Sequence, residues 1–262
     1  MTILRSSDNP RLRRWIRLAA DPRERRSKGC ALIEGPHLIA ACLAAGVKPE
    51  ALILSESGAG RAEMAQLVRQ SGATATILAD KLFAALADAE TPQGIAAEIR
   101  LPREATDLNA VASCVFLDGI QDAGNVGTIL RSAAAFGVPV AVLGPGCADA
   151  WSPKVLRAAM GAHFSIGLRR SDDLASDLDW FGGRVAVAVP RGGVPPAEAD
   201  LSGRLGWIMG AEGHGVSAAL AARAGLRVTI PMRGGAESLN VSAAAAILFY
   251  ESARVRKRGA PG

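Results

Sequence analysis

The feature that most constrains this chain lies in its second half, where five apolar runs recur: VFLDGI at 115–120, PVAVLG at 139–144, RVAVAV at 184–189, GWIMGA at 206–211 and LRVTIP at 226–231. None alternates polar with apolar residues, the pattern of strands covered on both faces. Helical stretches separate most of them, at 125–136, 153–160, 172–179, 217–224 and 238–257. Strands alternating with helices predict an α/β fold whose mostly parallel sheet is flanked by helices. No repeat of fixed period is present, which excludes solenoids and propellers.

Residues 31–99 predict a second, smaller α/β unit. Short strands at 31–34, 51–54, 76–78 and 94–99 alternate with helices at 36–45, 61–70 and 81–87, with Pro36 suited to a first helical position and Gly46 to a helix stop. The polar stretch RLPREATDLNA at 100–110 has no period and reads as a linker. The expected domains are therefore 1–104 and 110–258.

Composition narrows the partners. At 49% hydrophobic and 21% charged residues the chain is not of the disordered class. No apolar stretch reaches the roughly 18 residues of a membrane span, and the opening MTILRSSDNPRLRRW has no apolar core after its charges. A cytoplasmic location with no membrane partner is expected. Cys30, Cys42, Cys114 and Cys147 lack metal-ligand spacing and read as buried reduced thiols, so no metal is expected. The net charge is +5, yet residues 1–28 alone hold nine basic residues against three acidic ones. The excess is local, as in a basic arm or helix laid on nucleic-acid phosphates, with Arg11, Arg13, Arg14 and Arg17 as the contacts. A solvated Arg-rich helix is the competing reading.

In an open parallel sheet, ligands sit beyond the carboxyl ends of the strands. Three loops there combine glycines with polar residues at helix starts: Gln121 to Thr128 leading to Arg131, Gly210 to Gly215, and Ile230 to Ser242. Glycines let backbone approach a ligand, and unpaired N–H groups at helix starts favour acceptors. Asn125, Ser217 and Ser238 could each be an ordinary helix cap, and Arg131 a surface arginine, but capping does not account for Glu212. The stretch Gly213-His214-Gly215-Val216-Ser217-Ala218 mimics a dinucleotide fingerprint but lies too late in the chain. Neither a phosphate-binding P-loop nor a nucleophile elbow is present. His37, His163 and His214 are scattered, so the acid–base repertoire is thin and suits a transfer reaction driven by positioning.

These loops, in this order, resemble the signature motifs of the SpoU family of SPOUT-class RNA 2′-O-ribose methyltransferases. The matches are Asn125-x-Gly127 with Arg131-x-Ala133, Gly210-x-Glu212-x-x-Gly215, and Ile230-Pro231-Met232 followed by Ser238-Leu239-Asn240-Val241-Ser242, with Ser152 to Gly161 similar to the family's middle region. Upstream, Ile33-Glu34-Gly35 and Thr91-Pro92-Gln93-Gly94 resemble a ribosomal-protein-like substrate-binding domain. The resemblance implies a C-terminal trefoil knot, a homodimer, and S-adenosylmethionine bound within the knot.

It further implies Arg131 as catalytic residue, Asn125 and Ser238 placing substrate, and Glu212 and Asn240 completing the pocket. Leu143, Gly144, Met209, Gly210, Ala211, Glu212, Gly213, Ile230, Pro231, Met232, Ser238 and Leu239 are implied to hold the cofactor. The doubled Gly234-Gly235 with Ala236 departs from the pattern. The expected activity is ribose methylation of a structured RNA, ribosomal in preference to transfer RNA. Base methylation, and a non-catalytic RNA-binding or ribosome-assembly role, are the alternatives.

Overall fold

The structure is a computed structural model that describes residues 3–88, 91–105, 107–234 and 237–259, with side chains described through 256. The chain forms two compact units. The first comprises the residues up to Arg103 together with Asp149–Phe164, and the second comprises Glu104–Ala148 and the residues from Ser165 onward. The segment Asp149–Phe164, placed by its sequence inside the 110–258 domain, thus belongs with the first unit.

The first unit runs β1 (Ile3–Leu4), α1 (Pro10–Ala20), α2 (Pro22–Lys28), β2 (Cys30–Glu34), α3 (Pro36–Ala44), β3 (Ala51–Ser55), α4 (Ala62–Ser71), β4 (Ala75–Leu78), α5 (Asp80–Ala84) and β5 (Ile95–Arg100). Its sheet has the order β1-β4-β3-β5-β2, with β5 antiparallel to both β3 and β2. Every residue of β3 is buried because both faces are covered. Leu52 and Leu54 pack with Ile39 and Met64 on one side, and Ile53 packs with Leu12, Trp15 and Phe83 on the other.

The basic N-terminal segment covers that second face as a docked pair of helices. Leu12, Trp15 and Leu18 recur at helical spacing along α1 and are all buried. Asn9 caps the helix by accepting from the Arg11 N–H, and Pro10 takes a first-turn position that needs no donor. The arginines on this helix largely have internal partners: Arg13 with Asp8, Arg17 with Glu24, and Arg14 with Glu98, which also accepts from Trp15 Nε1 at 2.9 Å. Arg11 lies over the Trp15 ring. Arg25 of α2 is buried, bonded to the Leu18 and Ala19 carbonyls and paired with Asp149 at 2.6 Å. A docked amphipathic helix pair outcompetes a solvated arm because the three apolar side chains recover burial energy, roughly 1.5–3 kcal/mol each.

The second unit runs β6 (Ser113–Asp118), α6 (Ala123–Ala135) and β7 (Val140–Leu143); α7 (Pro153–Ala159) follows in chain order but lies in the first unit. It then continues with β8 (Gly167–Arg170), α8 (Leu174–Phe181), β9 (Arg184–Ala188), β10 (Leu205–Gly210), α9 (Ala218–Ala221), β11 (Leu226–Val228) and α10 (Val241–Gly259). Its six strands are parallel in the order β11-β9-β10-β6-β7-β8. Strand β8, sequence GLRR, was not anticipated: it is an edge strand, half-exposed, and carries no apolar run. One face of the sheet packs Phe116 edge-on against Phe181, ring centroids 5.8 Å apart. On α10, buried Ser252 accepts from Trp207 Nε1 of β10 at 3.1 Å. Among the described residues no helix is long and apolar enough to cross a membrane. Cys30, Cys42 and Cys114 are buried free thiols, and Cys147 is partly buried.

Candidate active site

Strands β11, β9 and β10 are neighbours, so the loops leaving their carboxyl ends converge. They enclose a cavity of about 560 Å³ lined by Ala188 to Pro190 after β9, residues 209–213 and Gly215 around the end of β10, and Val228, Ile230, Met232 and Glu237 to Val241 after β11. The loop after β10 is tightly folded. The Gly215 N–H bonds back to the Ala211 carbonyl at 2.9 Å, and a Cβ on Gly210 would lie 2.2 Å from the Gly215 carbonyl carbon, so only glycine fits there.

β6 borders β10 on its other side, and the chain leaves it for α6. Asp122, not Asn125, caps that helix: its carboxylate accepts from the Asn125 N–H at 2.7 Å. Asn125 is therefore in the first turn, only 8% exposed, and its side chain is free for another purpose. Its Nδ2 donates to Glu212 Oε1 at 2.5 Å, and its Oδ1 accepts from Asn240 Nδ2 at 3.0 Å. Asn240 Nδ2 also donates to Glu212 Oε1 at 2.8 Å. The three side chains form a closed ring at the wall of the cavity.

Asn240 has a second role, since its Oδ1 accepts from both Oγ and N of Ser242, at 2.6 and 2.9 Å, and so caps α10. The cap expected at Ser238 thus falls two residues later, which leaves Ser238 exposed on the cavity wall.

The structure brings together Met209, Gly210, Ala211, Glu212, Gly213, Ile230, Met232, Ser238, Leu239 and Asn240, with Asn125 joined through the ring. Of the expected cofactor-binding residues, three are not among those lining the cavity. Leu143 is buried in the sheet, Gly144 packs so closely on Leu174 that a Cβ would come within 2.4 Å of its Cδ1, and Pro231 is exposed. Arg131 is exposed on α6, off the cavity wall, with no hydrogen bond or ion pair among the described residues. Gly235 and Ala236 lie outside the described residues. Sequence reasoning missed Ala188, Val189 and Pro190, which carry no polar signal, although the strand-end rule alone pointed to the loop after β9.

The lining combines an apolar wall (Val189, Met209, Ile230 and Leu239) with two carboxylates, Glu212 and Glu237. Its volume lies within the range of small-molecule sites. Such a site suits a flat heterocycle attached to a cationic chain: the ring meets the wall and the positive charge meets the carboxylates.

Comparison with known proteins agrees with this architecture. Residues 112–250 match the SpoU rRNA methylase family, and residues 9–97 match the MRM3-like substrate binding domain. The chain is 36% identical over 253 residues to the 23S rRNA guanosine 2′-O-methyltransferase RlmP of Bacillus subtilis, covering 95% of this chain and 98% of that one. A solved RNA 2′-O ribose methyltransferase superimposes with TM-score 0.80 at 30% identity, over 97% of this chain and 98% of the other. An AdoMet-bound rRNA methyltransferase from Sinorhizobium meliloti gives 0.83 at 26% identity, over 97% and 98%. With more than half its length matched by the family and its loops assembled into one site, the chain belongs to the SpoU rRNA methylase family.

Proposed function

We propose that this chain methylates a ribose 2′-hydroxyl of ribosomal RNA with S-adenosylmethionine as donor. The observation that carries the reading is the Asn125–Glu212–Asn240 ring on the wall of a cavity sized and charged for that donor. It is supported by the activity in the name of the B. subtilis relative and by the donor bound in the S. meliloti structure. When bound, the donor supplies an electrophilic methyl group on a sulfonium.

The chain's own residues orient the acceptor. Glu212 and Asn240 hold the cavity wall, Asn125 and Ser238 position the nucleotide, and Arg131 grips an RNA phosphate and steadies the developing alkoxide. A guanidinium does not act as a free base in proteins, and its planar fork suits a phosphate. Orientation and local field then supply most of the acceleration. The trefoil threading of the family falls on the segments after β10 and β11 that form the cavity.

The active species is a homodimer in the cytoplasm. Ile247 and Tyr250, one turn apart on α10, are both exposed, and Tyr250 stacks edge-on against Phe136 at the end of α6, an apolar stripe suited to a second copy. Methylation of ribosomal RNA from a strain lacking the gene, with the modified riboses mapped, tests the reading. Transfer of methyl groups to bases, or none at all despite donor binding, would overturn it.

A further inference from the structure

Two motifs of the first unit, Ile33-Glu34-Gly35 and Thr91-Pro92-Gln93-Gly94, are not among the residues lining the candidate active site, yet they meet at a second cavity of about 300 Å³. Leu32, Leu38, Leu86 and Leu156 give it aliphatic walls. Its polar groups include Glu34, His37 and Gln93, together with Arg157 and Asp88, which are paired with each other. Glu34 ends β2, and Gly35 turns the chain into α3 at φ +99°. A Cβ on Gly35 would lie 2.7 Å from Gln93 Oε1, so glycine is what allows the Gln93 amide to rest against this turn.

Glu34 Oε1 is buried and has no hydrogen-bond partner among the described residues. Burial pushes this carboxyl above its usual range. A desolvated acceptor without a donor is costly, and its residue, Glu34, lines this cavity.

We propose that this cavity is a subsite for one unstacked guanine of the RNA, gripped through its N1–H and N2 amino group by Glu34. Of the four bases only guanine presents two adjacent N–H donors on one edge, matching the two oxygens of a carboxylate. In this arrangement the leucines contact the faces of the ring and the Gln93 side-chain amide nitrogen donates to O6. The volume, at the lower limit of small-molecule sites, admits one base. Sequence-specific RNA recognition targets bases splayed out of a stack in this way. The proposal rests on the RNA reading above and on the location of both motifs inside the match to a substrate-binding domain.

Fluorescence anisotropy of the full-length protein with uridine hexamers carrying one guanosine, inosine or adenosine tests it, since inosine lacks only the N2 amino group. The guanosine hexamer is expected to bind about tenfold tighter than the other two. Glu34→Gln is expected to erase that preference and Gln93→Ala to reduce it, both with methyl-donor affinity by calorimetry unchanged. Equal binding of the three hexamers to the unmodified protein, or a preference that survives Glu34→Gln, overturns the subsite. If Glu34→Gln no longer binds the donor, the inosine comparison on the unmodified protein decides. Guanosine monophosphate binding as tightly as the guanosine hexamer would assign the cavity to a free nucleotide and overturn the RNA source. Failure of the unmodified protein to bind the donor would count against methyl transfer, separately from the subsite.

Discussion

Asn240 joins Glu212 by a 2.8 Å hydrogen bond from its amide while its carbonyl oxygen caps α10, so one side chain couples the loop after β10 to the start of the last helix. Asn240→Asp separates the two roles. The cap acceptor survives, but an oxygen replaces the donor that faced the Glu212 carboxylate and Asn125 Oδ1. The expected outcome is a fold with nearly unchanged thermal stability and a donor affinity about tenfold weaker by calorimetry, a loss of about 1.4 kcal/mol. Unchanged affinity would show that the ring does not hold the cavity wall.

Arg131 contrasts with that ring because nothing among the described residues engages it. Arg131→Ala is therefore expected to leave stability and donor affinity intact while methylation in single-turnover assays drops about 100- to 1,000-fold. Arg131→Lys should recover only part of the rate, since an ammonium cannot grip phosphate in two places. Near-normal turnover in the alanine variant would reject the role.

How far the sequence reached depended on what carried the signal. Buried strands such as β6 and β10 are legible because both faces demand apolar residues, and Gly210 and Glu212 stand out as flexible or polar positions at a strand end, whereas Asn240, at the start of α10, is marked only by the family resemblance. β8 was not legible, since an edge strand of sequence GLRR satisfies no burial pattern. The packing of α1 was encoded in Leu12, Trp15 and Leu18 but masked by the surrounding arginines, whose partners Glu98 and Asp149 lie 84 and 124 residues away. The placement of Asp149–Phe164 in the first unit is likewise invisible locally, because the Arg25–Asp149 pair exists only in the folded chain.

The N-terminal arginines divide into two groups with opposite expected behaviour. Glu98 is 6% exposed and relies on Arg14 and Trp15. Arg14→Ala should cost about 1–3 kcal/mol in urea unfolding by stranding that carboxylate. Arg23, Arg26 and Lys28 are exposed on α2 without ion pairs among the described residues. Replacing all three with Gln should leave stability within about 0.5 kcal/mol and lower the slope of log RNA affinity against log salt by roughly two to three. An unchanged slope would remove this face from the RNA contact.

His163 gives the protein a predictable acid sensitivity. It is 2% exposed, its ring lies 4.9 Å from that of Trp151, Nε2 contacts the Ala150 carbonyl at 2.6 Å, and Nδ1 is buried without a partner among the described residues. Burial pushes its pKa down to about 4 from 6.5, because a second proton on the ring would place an uncompensated charge in the core. Between those values the unfolded chain binds a proton that the folded chain refuses. The contribution is fully present above pH 6.5 and is lost progressively as the pH falls toward 4, at up to about 1.4 kcal/mol per pH unit. His163→Phe keeps a ring beside Trp151 and removes the titration. The difference in unfolding free energy between the two proteins, measured in urea from pH 4.5 to 7.5, should therefore shift with that slope below pH 6.5 and level off above it. A difference independent of pH would mean that His163 titrates alike in the folded and unfolded chains.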